Sequence, residues 1–337
     1  MSSQTFNSPQ MLPAPSTRAF GSRDLISARD LNPHETEAVL HLAGLMKSRP
    51  ADFRGALTGK QMVMFFEKPS LRTRLTFEAG MASLGGVSFF VDQTKSRLDS
   101  RECLSDIAHN LERWVDVIVL RTFDHHTVEG MAEYASIPVI NALSDIEHPC
   151  QALADYFTLQ ERFGNLRNVT LAYVGDGNNV AHSLLLTAAA LGSTIRIATP
   201  KGYEPDQQVV TDAQIIAHES GAVIEILSDP RAAVSGADAI YTDVWTSMGQ
   251  ESEANERSRI FADYQVNDEL IAQAAPHAVF MHCLPAHRGQ EVTSPVIDSP
   301  RSIVFDQAES RMHVQKAILL LLLGSGMSRL PIRSGHA

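Results

Sequence analysis

The sequence predicts an α/β protein made of two doubly wound parallel-sheet domains. Short apolar runs alternate with helical patterns almost throughout the chain, the signature of parallel sheets covered by helices. The strand candidates number about ten, more than one compact open sheet usually holds. The length, 337 residues, also suits one large or two moderate domains.

The strand candidates fall at residues 61–66, 87–91, 115–120, 137–140, 169–174, 194–198, 222–227, 238–242, 278–281 and 302–305. Each is a short β-branched or aromatic run. Helical patterns lie between most of them, at 101–113, 149–163, 180–191, 207–220 and 308–323. The domain boundary is expected in the helix that starts near Pro149. The last helix follows the second group of strands and is expected to pack back on the first domain. Open parallel sheets bind ligands at the carboxyl ends of their strands. A cleft between the two domains is therefore the default site.

Composition narrows the function. The net charge is −11 with no lysine-rich block, which disfavours nucleic acid as a partner. No apolar run approaches the ~20 residues that span a bilayer, so no membrane association is expected. The run Ile318 to Leu323 reads as a buried helix. Cys103, Cys150 and Cys283 are odd in number and widely spaced. No disulfide framework or C-x-x-C metal site can be read from them, and a reducing, cytoplasmic compartment is the simplest inference. Residues 1–22 are expected to form a flexible extension; an organelle-transit reading stays open.

The chemistry sits at strand-to-helix corners. In Ser70-Leu71-Arg72-Thr73-Arg74 an apolar strand hands over to a helix. The first helical turn has unpaired N–H groups and a positive dipole, so it binds anions. Two hydroxyls and two guanidinium forks add phosphate-matching donors. Alone, the motif also fits a helix cap with surface arginines. Arg121 closes an apolar strand on the ligand-facing edge. His148-Pro149-Cys150-Gln151 puts an imidazole and an amide in one helical first turn, with Pro149 at its start; a capping histidine and a solvated glutamine fit as well. Gly175-Asp176-Gly177-Asn178-Asn179 looks like a nucleotide-binding turn but lacks the third glycine of G-x-G-x-x-G. A nicotinamide dehydrogenase is the rival it suggests. Asp243 could pair with an ammonium. Ser247, Met248 and Gly249, in a loop with an apparently exposed Trp245, could hold a carboxylate. His282-Cys283-Leu284-Pro285 ends a further strand; a buried thiol or a transition-metal site are its alternatives, though adjacent His-Cys spaces ligands poorly. Arg311 faces a cleft only if the last helix crosses to the first domain.

Together these segments resemble the ornithine carbamoyltransferases, within the aspartate/ornithine carbamoyltransferase superfamily. F-E-K-x-S-x-R-T-R, H-P-x-Q, D-G-N-N, D-x-W-x-S-M-G and H-C-L-P occur in the family's order across roughly residues 23–330. The resemblance implies two α/β domains linked by two interdomain helices. The implied bounds are a carbamoyl-phosphate domain at 23–148, joined by the C-terminal helix 308–326, an ornithine domain at 149–307, and a tail at 327–337. It implies transfer of the carbamoyl group of carbamoyl phosphate to L-ornithine, in a homotrimer or an assembly of trimers, with no metal and no organic cofactor. A carbamoyltransferase for putrescine or an N-acylated ornithine is the alternative.

By position, the resemblance assigns the phosphate to Ser70, Leu71, Arg72, Thr73 and Arg121. The carbamoyl group falls to Arg121, His148, Gln151 and Arg311, with the backbone near Cys283 and Leu284. Ornithine falls to Asn179, Asp243, Ser247 and Met248, and Cys283 sits beside the attacking amine. Two departures stand out. Leu71 replaces the family's usual threonine and removes one hydroxyl donor, worth ~1 kcal/mol net. Arg97 stands where relatives usually carry Gln or His, in a loop that reaches a neighbouring subunit's site.

Overall fold

A computed structural model of the chain describes residues 23–95, 97–246 and 251–324. Residues 1–22 and 327–337, and Ser247, Met248 and Gly249 of the proposed carboxylate loop, lie outside the described residues. Two fully parallel sheets form the frame. The first contains β1 (Gln61–Phe66), β2 (Val87–Asp92), β3 (Val117–Arg121) and β4 (Val139–Leu143) in the order β2-β1-β3-β4. The second contains β5 (Thr170–Val174), β6 (Thr194–Ala198), β7 (Val223–Leu227), β8 (Ala239–Thr242) and β9 (Val279–His282) in the order β7-β6-β5-β8-β9. Strands β3, β8 and β9 are buried at every position, as continuous apolar runs covered on both faces must be.

Helices α1 (Pro33–Ser48), α2 (Leu71–Ser83), α3 (Leu104–Leu111), α4 (His125–Tyr134) and α5 (Pro149–Phe163) accompany the first sheet. Helices α6 (Asn179–Leu191), α7 (Gln207–Ser220), α8 (Pro230–Val234), α9 (Ala254–Ile260), α10 (Asp268–Ile271) and α11 (Ser294–Ile297) accompany the second, and α12 (Val304–Leu323) ends the described chain. Helix α5 begins with Pro149 at its first position and stops at Gly164, whose φ of 78° needs no Cβ. Helix α12 packs on α1, α2 and α5, so the last helix does return to the first sheet. One apolar cluster runs through both sheets by way of α5 and α12, including Phe77, Leu153, Phe157, Leu185, Tyr241 and Leu319.

One expected strand is not formed. Residues 302–305 do not form one: Ser302 makes a single bridge to Phe280, and the chain enters α12 at Val304. Nine strands, rather than about ten, are present among the described residues. The first sheet changes direction between β1 and β3, the second between β5 and β8. Crevices open at the carboxyl ends of strands at such switch points.

Candidate active site

Both switch points open on one cavity of about 770 Å³. From the first sheet come Lys68 to Thr73, after β1, and Arg121, at the end of β3. From the second come Asn179, Asp243 to Thr246 and Cys283 to Pro285. His148, just before α5, Gln151 of α5 and Arg311 of α12 also line it. Every described residue assigned to substrate lines it except Arg97.

The first corner is built as its sequence demands. Ser70 caps α2, its Oγ accepting from the Thr73 N–H at 3.2 Å. The same hydroxyl donates to Thr73 Oγ1 at 3.0 Å, which also accepts from Arg311 Nη2 at 2.7 Å. Leu71 lines the cavity yet is 73% exposed. Arg72 lines it too. Arg74 does not: it pairs with Glu78 at 2.9 Å and lies over the Phe90 ring, 3.9 Å from its centroid. Residues two apart on a helix point about 200° from each other, so only one of the two arginines can face inward.

Arg121 ends β3 in register with Phe66 of β1. Its Nε donates to the Lys68 carbonyl at 3.1 Å. Burial, with Arg311 and Arg72 nearby, brings its guanidinium down to about 9. Burial lowers Arg311 as well. No ion pair among the described residues joins Arg72, Arg121 or Arg311 to a carboxylate. Concentrated positive charge without an acidic partner is costly unless an anion completes it. Lys68 stacks on Phe123 at 4.7 Å, and burial and Arg121 lower it too.

His148 caps α5, and its backbone N–H donates to Ser183 Oγ at 2.9 Å. Burial, then Arg311 and Arg121, hold its imidazole well below its ordinary value, so it is neutral at working pH. Its Nδ1 is buried without a protein partner. Gln151 Nε2 donates to Asp155 Oδ1 at 2.7 Å, and its oxygen accepts from Arg311 Nη1 at 2.8 Å. The amide nitrogen is thus committed to Asp155.

The second corner follows from strand register. Thr242 of β8 pairs with His282 of β9, so Asp243 and Cys283 emerge side by side. The Cys283 thiol donates to Asp243 Oδ1 at 3.0 Å. Burial, reinforced by Asp243, pushes that thiol far up and keeps it protonated. Asp243 Oδ2 accepts from Asn178 Nδ2 at 3.0 Å. Asn178, given no substrate of its own in the resemblance, also caps α6 through Oδ1, which accepts from the N–H groups of Val180 and Ala181. Asn179, the residue singled out, lines the cavity while its Nδ2 donates to the Ser144 carbonyl at 2.6 Å.

Trp245 is 4% exposed, not exposed as the sequence suggested. It stacks on Phe261 at 5.9 Å, and its carbonyl accepts from Arg257 Nε. Arg257 also pairs with Asp176, whose carboxyl burial pushes up to about 6. Asp243, His282 and Cys283 bring ligand atoms within 4.8 Å of one another. Both nitrogens of His282 are already used: Nδ1 accepts from the Leu284 N–H at 2.8 Å, and Nε2 meets Glu291 Oε1 at 3.3 Å. The imidazole holds the 282–285 turn. The glycine turn after β5 is also accounted for. A Cβ on Gly177 would lie 2.3 Å from Pro205 N, so this glycine makes room for the chain's own backbone and not for a dinucleotide. Arg97 lies at the surface, 3.3 Å from Asp124 and 3.9 Å from Asp99.

Comparison with known proteins agrees with this geometry. Residues 23–161 match the family model described as aspartate/ornithine carbamoyltransferase, carbamoyl-P binding domain. Residues 167–322 match the Asp/Orn binding domain of the same family. The chain is 51% identical over 308 residues to an ornithine carbamoyltransferase of Thermococcus kodakarensis, covering 91% of this chain and 98% of the relative. It is 50% identical over 308 residues to an anabolic ornithine carbamoyltransferase of Pyrococcus furiosus, covering 91% and 98%. The solved structure of an ornithine carbamoyltransferase from Pyrococcus furiosus superposes with a TM-score of 0.88 at 49% identity, covering 92% of this chain and 99% of that one.

Proposed function

The chain belongs to the aspartate/ornithine carbamoyltransferase family, and we propose how its cavity moves the carbamoyl group of carbamoyl phosphate to the δ-amine of L-ornithine, giving L-citrulline and phosphate. One observation carries the reading. Arg72, Arg121 and Arg311, none of them in an ion pair with a carboxylate among the described residues, share a cavity with Asp243 and Cys283.

Carbamoyl phosphate binds at the α2 corner. The first-turn N–H groups, including that of Leu71, act with Ser70, Thr73, Arg72 and Arg121 on the phosphoryl oxygens. His148, Arg121 and Arg311 serve the carbamoyl oxygen, where negative charge grows as the amine attacks. A donor of this kind is worth ~3–4 kcal/mol in the transition state. Gln151 acts through Arg311, whose Nη1 it holds. Backbone carbonyls near Cys283 and Leu284 take the carbamoyl amide. Asn179 and Asp243 hold the ornithine α-groups, with Ser247 and Met248 assigned from the family motif. The δ-amine attacks as the neutral base, and the departing phosphate accepts its proton, so no protein base is required.

We further propose a homotrimer or an assembly of trimers, with Arg97 reaching a neighbour's cavity. The exposure of its side chain, 52%, supports that role. The 23–148 and 149–307 division, with α12 closing the first domain, is proposed from the change of sheet across α5. A cytoplasmic setting is proposed from the three free cysteines.

Steady-state citrulline formation tests the substrate. Ornithine is expected to be used, and putrescine and N-acetylornithine at least ~100-fold less well, because a site built for a polar group rejects an analogue lacking it. Equal use of putrescine would refute the α-group clamp. The relatives at about 50% identity bear the ornithine name, and the putrescine and acylornithine alternatives are not favoured.

A further inference from the structure

Asp155 lies one turn beyond Gln151 on α5, wholly buried and outside the cavity wall. Its Oδ1 accepts from two amide nitrogens, Gln151 Nε2 and Gln307 Nε2, each at 2.7 Å. Oδ1 can only accept, whether the carboxyl is ionised or carries its proton on Oδ2, which has no hydrogen-bond partner, so both amides must turn their nitrogens toward it and their oxygens away. The Gln151 oxygen then falls on Arg311 Nη1 at 2.8 Å, and Arg311 Nη2 reaches Thr73 Oγ1 at 2.7 Å. The Gln307 oxygen falls on the His282 backbone N–H at 2.8 Å. His282 begins the turn that carries Cys283 and Leu284. One carboxylate oxygen thereby fixes the guanidinium on the phosphate side and the strand end on the amine side.

We propose that Asp155 is the positioning residue that sets the carbamoyl-holding Gln151–Arg311 pair and the 282–284 turn at reacting distance from each other. The inference rests on the carbamoyl-transfer reading above and adds to it a residue that touches neither substrate. α5 and α12 meet at this one acceptor, and Gln307 hands the link on to the end of β9. Burying a carboxyl is expensive; desolvation pushes Asp155 up to about 7, against the two glutamines and Arg311, which favour the carboxylate. The Tyr241 hydroxyl, outside ordinary hydrogen-bond geometry, acts in the same sense. An apolar residue would fill this space without that cost but could not orient the two amides.

The test compares Asp155→Ala, Asp155→Asn and Gln307→Met with wild type by steady-state citrulline formation, alongside thermal melting. Misplacement by about 1 Å can cost ~100-fold in rate. Asp155→Ala is expected to lower kcat ~10- to 100-fold while the KM for carbamoyl phosphate moves less than ~3-fold, because Ser70, Arg72 and Arg121 make no direct hydrogen bond to Asp155, Gln151 or Arg311. Asp155→Asn keeps an acceptor oxygen for both amides and is expected to recover most of the loss. Gln307→Met cuts only the arm to His282 and is expected to lower kcat about tenfold; it keeps the proposal testable if Asp155→Ala does not fold. A normal kcat in folded Asp155→Ala or in Gln307→Met would overturn the proposal. So would an Asp155→Asn enzyme as slow as Asp155→Ala, since charge and not orientation would then be what matters. A wild type that forms no citrulline would overturn the carbamoyl-transfer reading itself, which separates the two failures.

Discussion

Replacing Asn178 by serine separates two tasks of one side chain. Its Oδ1 caps α6, and its Nδ2 donates to Asp243 Oδ2 at 3.0 Å. Serine caps a helix about as well as asparagine, so Asn178→Ser keeps the first task and deletes the second. A hydrogen bond to a charged group is worth ~1.5–3 kcal/mol. Asp243 is almost fully buried, so little solvent is at hand to replace the lost donor. At ~1.4 kcal/mol per decade this is a ~10- to 100-fold rise in the KM for ornithine. The KM for carbamoyl phosphate should stay within ~3-fold, because the phosphate corner lies on the other sheet. Asn178→Ala should show the same kinetic change plus a lower melting temperature, since losing a cap costs ~1 kcal/mol. The assay is citrulline formation with each substrate varied in turn, with melting curves for all three proteins. An unchanged ornithine KM in Asn178→Ser, or equal rises for both substrates, would refute the assignment of Asn178 as the residue that holds Asp243.

Gly177→Ala should destabilise the fold by ~1–3 kcal/mol, because its Cβ would meet backbone atoms of Tyr203, Glu204 and Pro205 at 2.3–2.6 Å; a melting temperature equal to wild type would contradict the close approach. Asp155→Asn should gain stability relative to wild type as pH rises from about 4 to about 7. The folded carboxyl keeps its proton up to about 7 while the unfolded one loses it near 3.8, so wild-type stability falls across that window by ~1.4 kcal/mol per pH unit. Melting curves at pH 5 and 7.5 read the difference, and a constant gap between the two proteins would count against the buried acid. Turnover at subsaturating ornithine should rise with pH about tenfold per unit below the amine's own titration near ~10.4, and the neutral state of His148 should leave no step near 6.5; a bell centred near neutrality would indicate a protein base.

Much of the frame was legible in the sequence because parallel strands are continuous apolar runs and the corners after them break that pattern with polar or charged groups. Ser70, Arg121, His148, Asp243 and Cys283 stand at such breaks, and the cavity gathers them. What the sequence hid was direction. Asn178 and Asn179 are adjacent, and only the point where α6 starts decides which one caps it and holds Asp243. Arg72 and Arg74 look equivalent until the helix turns one inward and the other onto Phe90. Trp245 reads as exposed because nothing local announces Arg257 and Phe261, which cover it from α9 and just beyond. The residues 302–305 have strand composition, but a single bridge and a helix start claim them. Helix α1 escaped despite its Asn32–Glu35 capping box with Pro33 inside, a signal the residues do carry. Asp155 was readable as the same-face partner of Gln151 four residues on; Gln307 was not, since its place beside Asp155 depends on how α12 crosses the molecule.

The claim that one cavity holds phosphate on the first sheet and the amino acid on the second is tested most directly by crossing two substitutions with two substrates. Citrulline formation should show Arg72→Ala raising the KM for carbamoyl phosphate ~10-fold or more, by loss of a charge-assisted hydrogen bond, with the ornithine KM nearly unchanged. Asp243→Asn should do the reverse. If each substitution weakens both substrates alike, or if Arg72→Ala acts on ornithine and Asp243→Asn on carbamoyl phosphate, the division of the cavity between the two sheets is wrong.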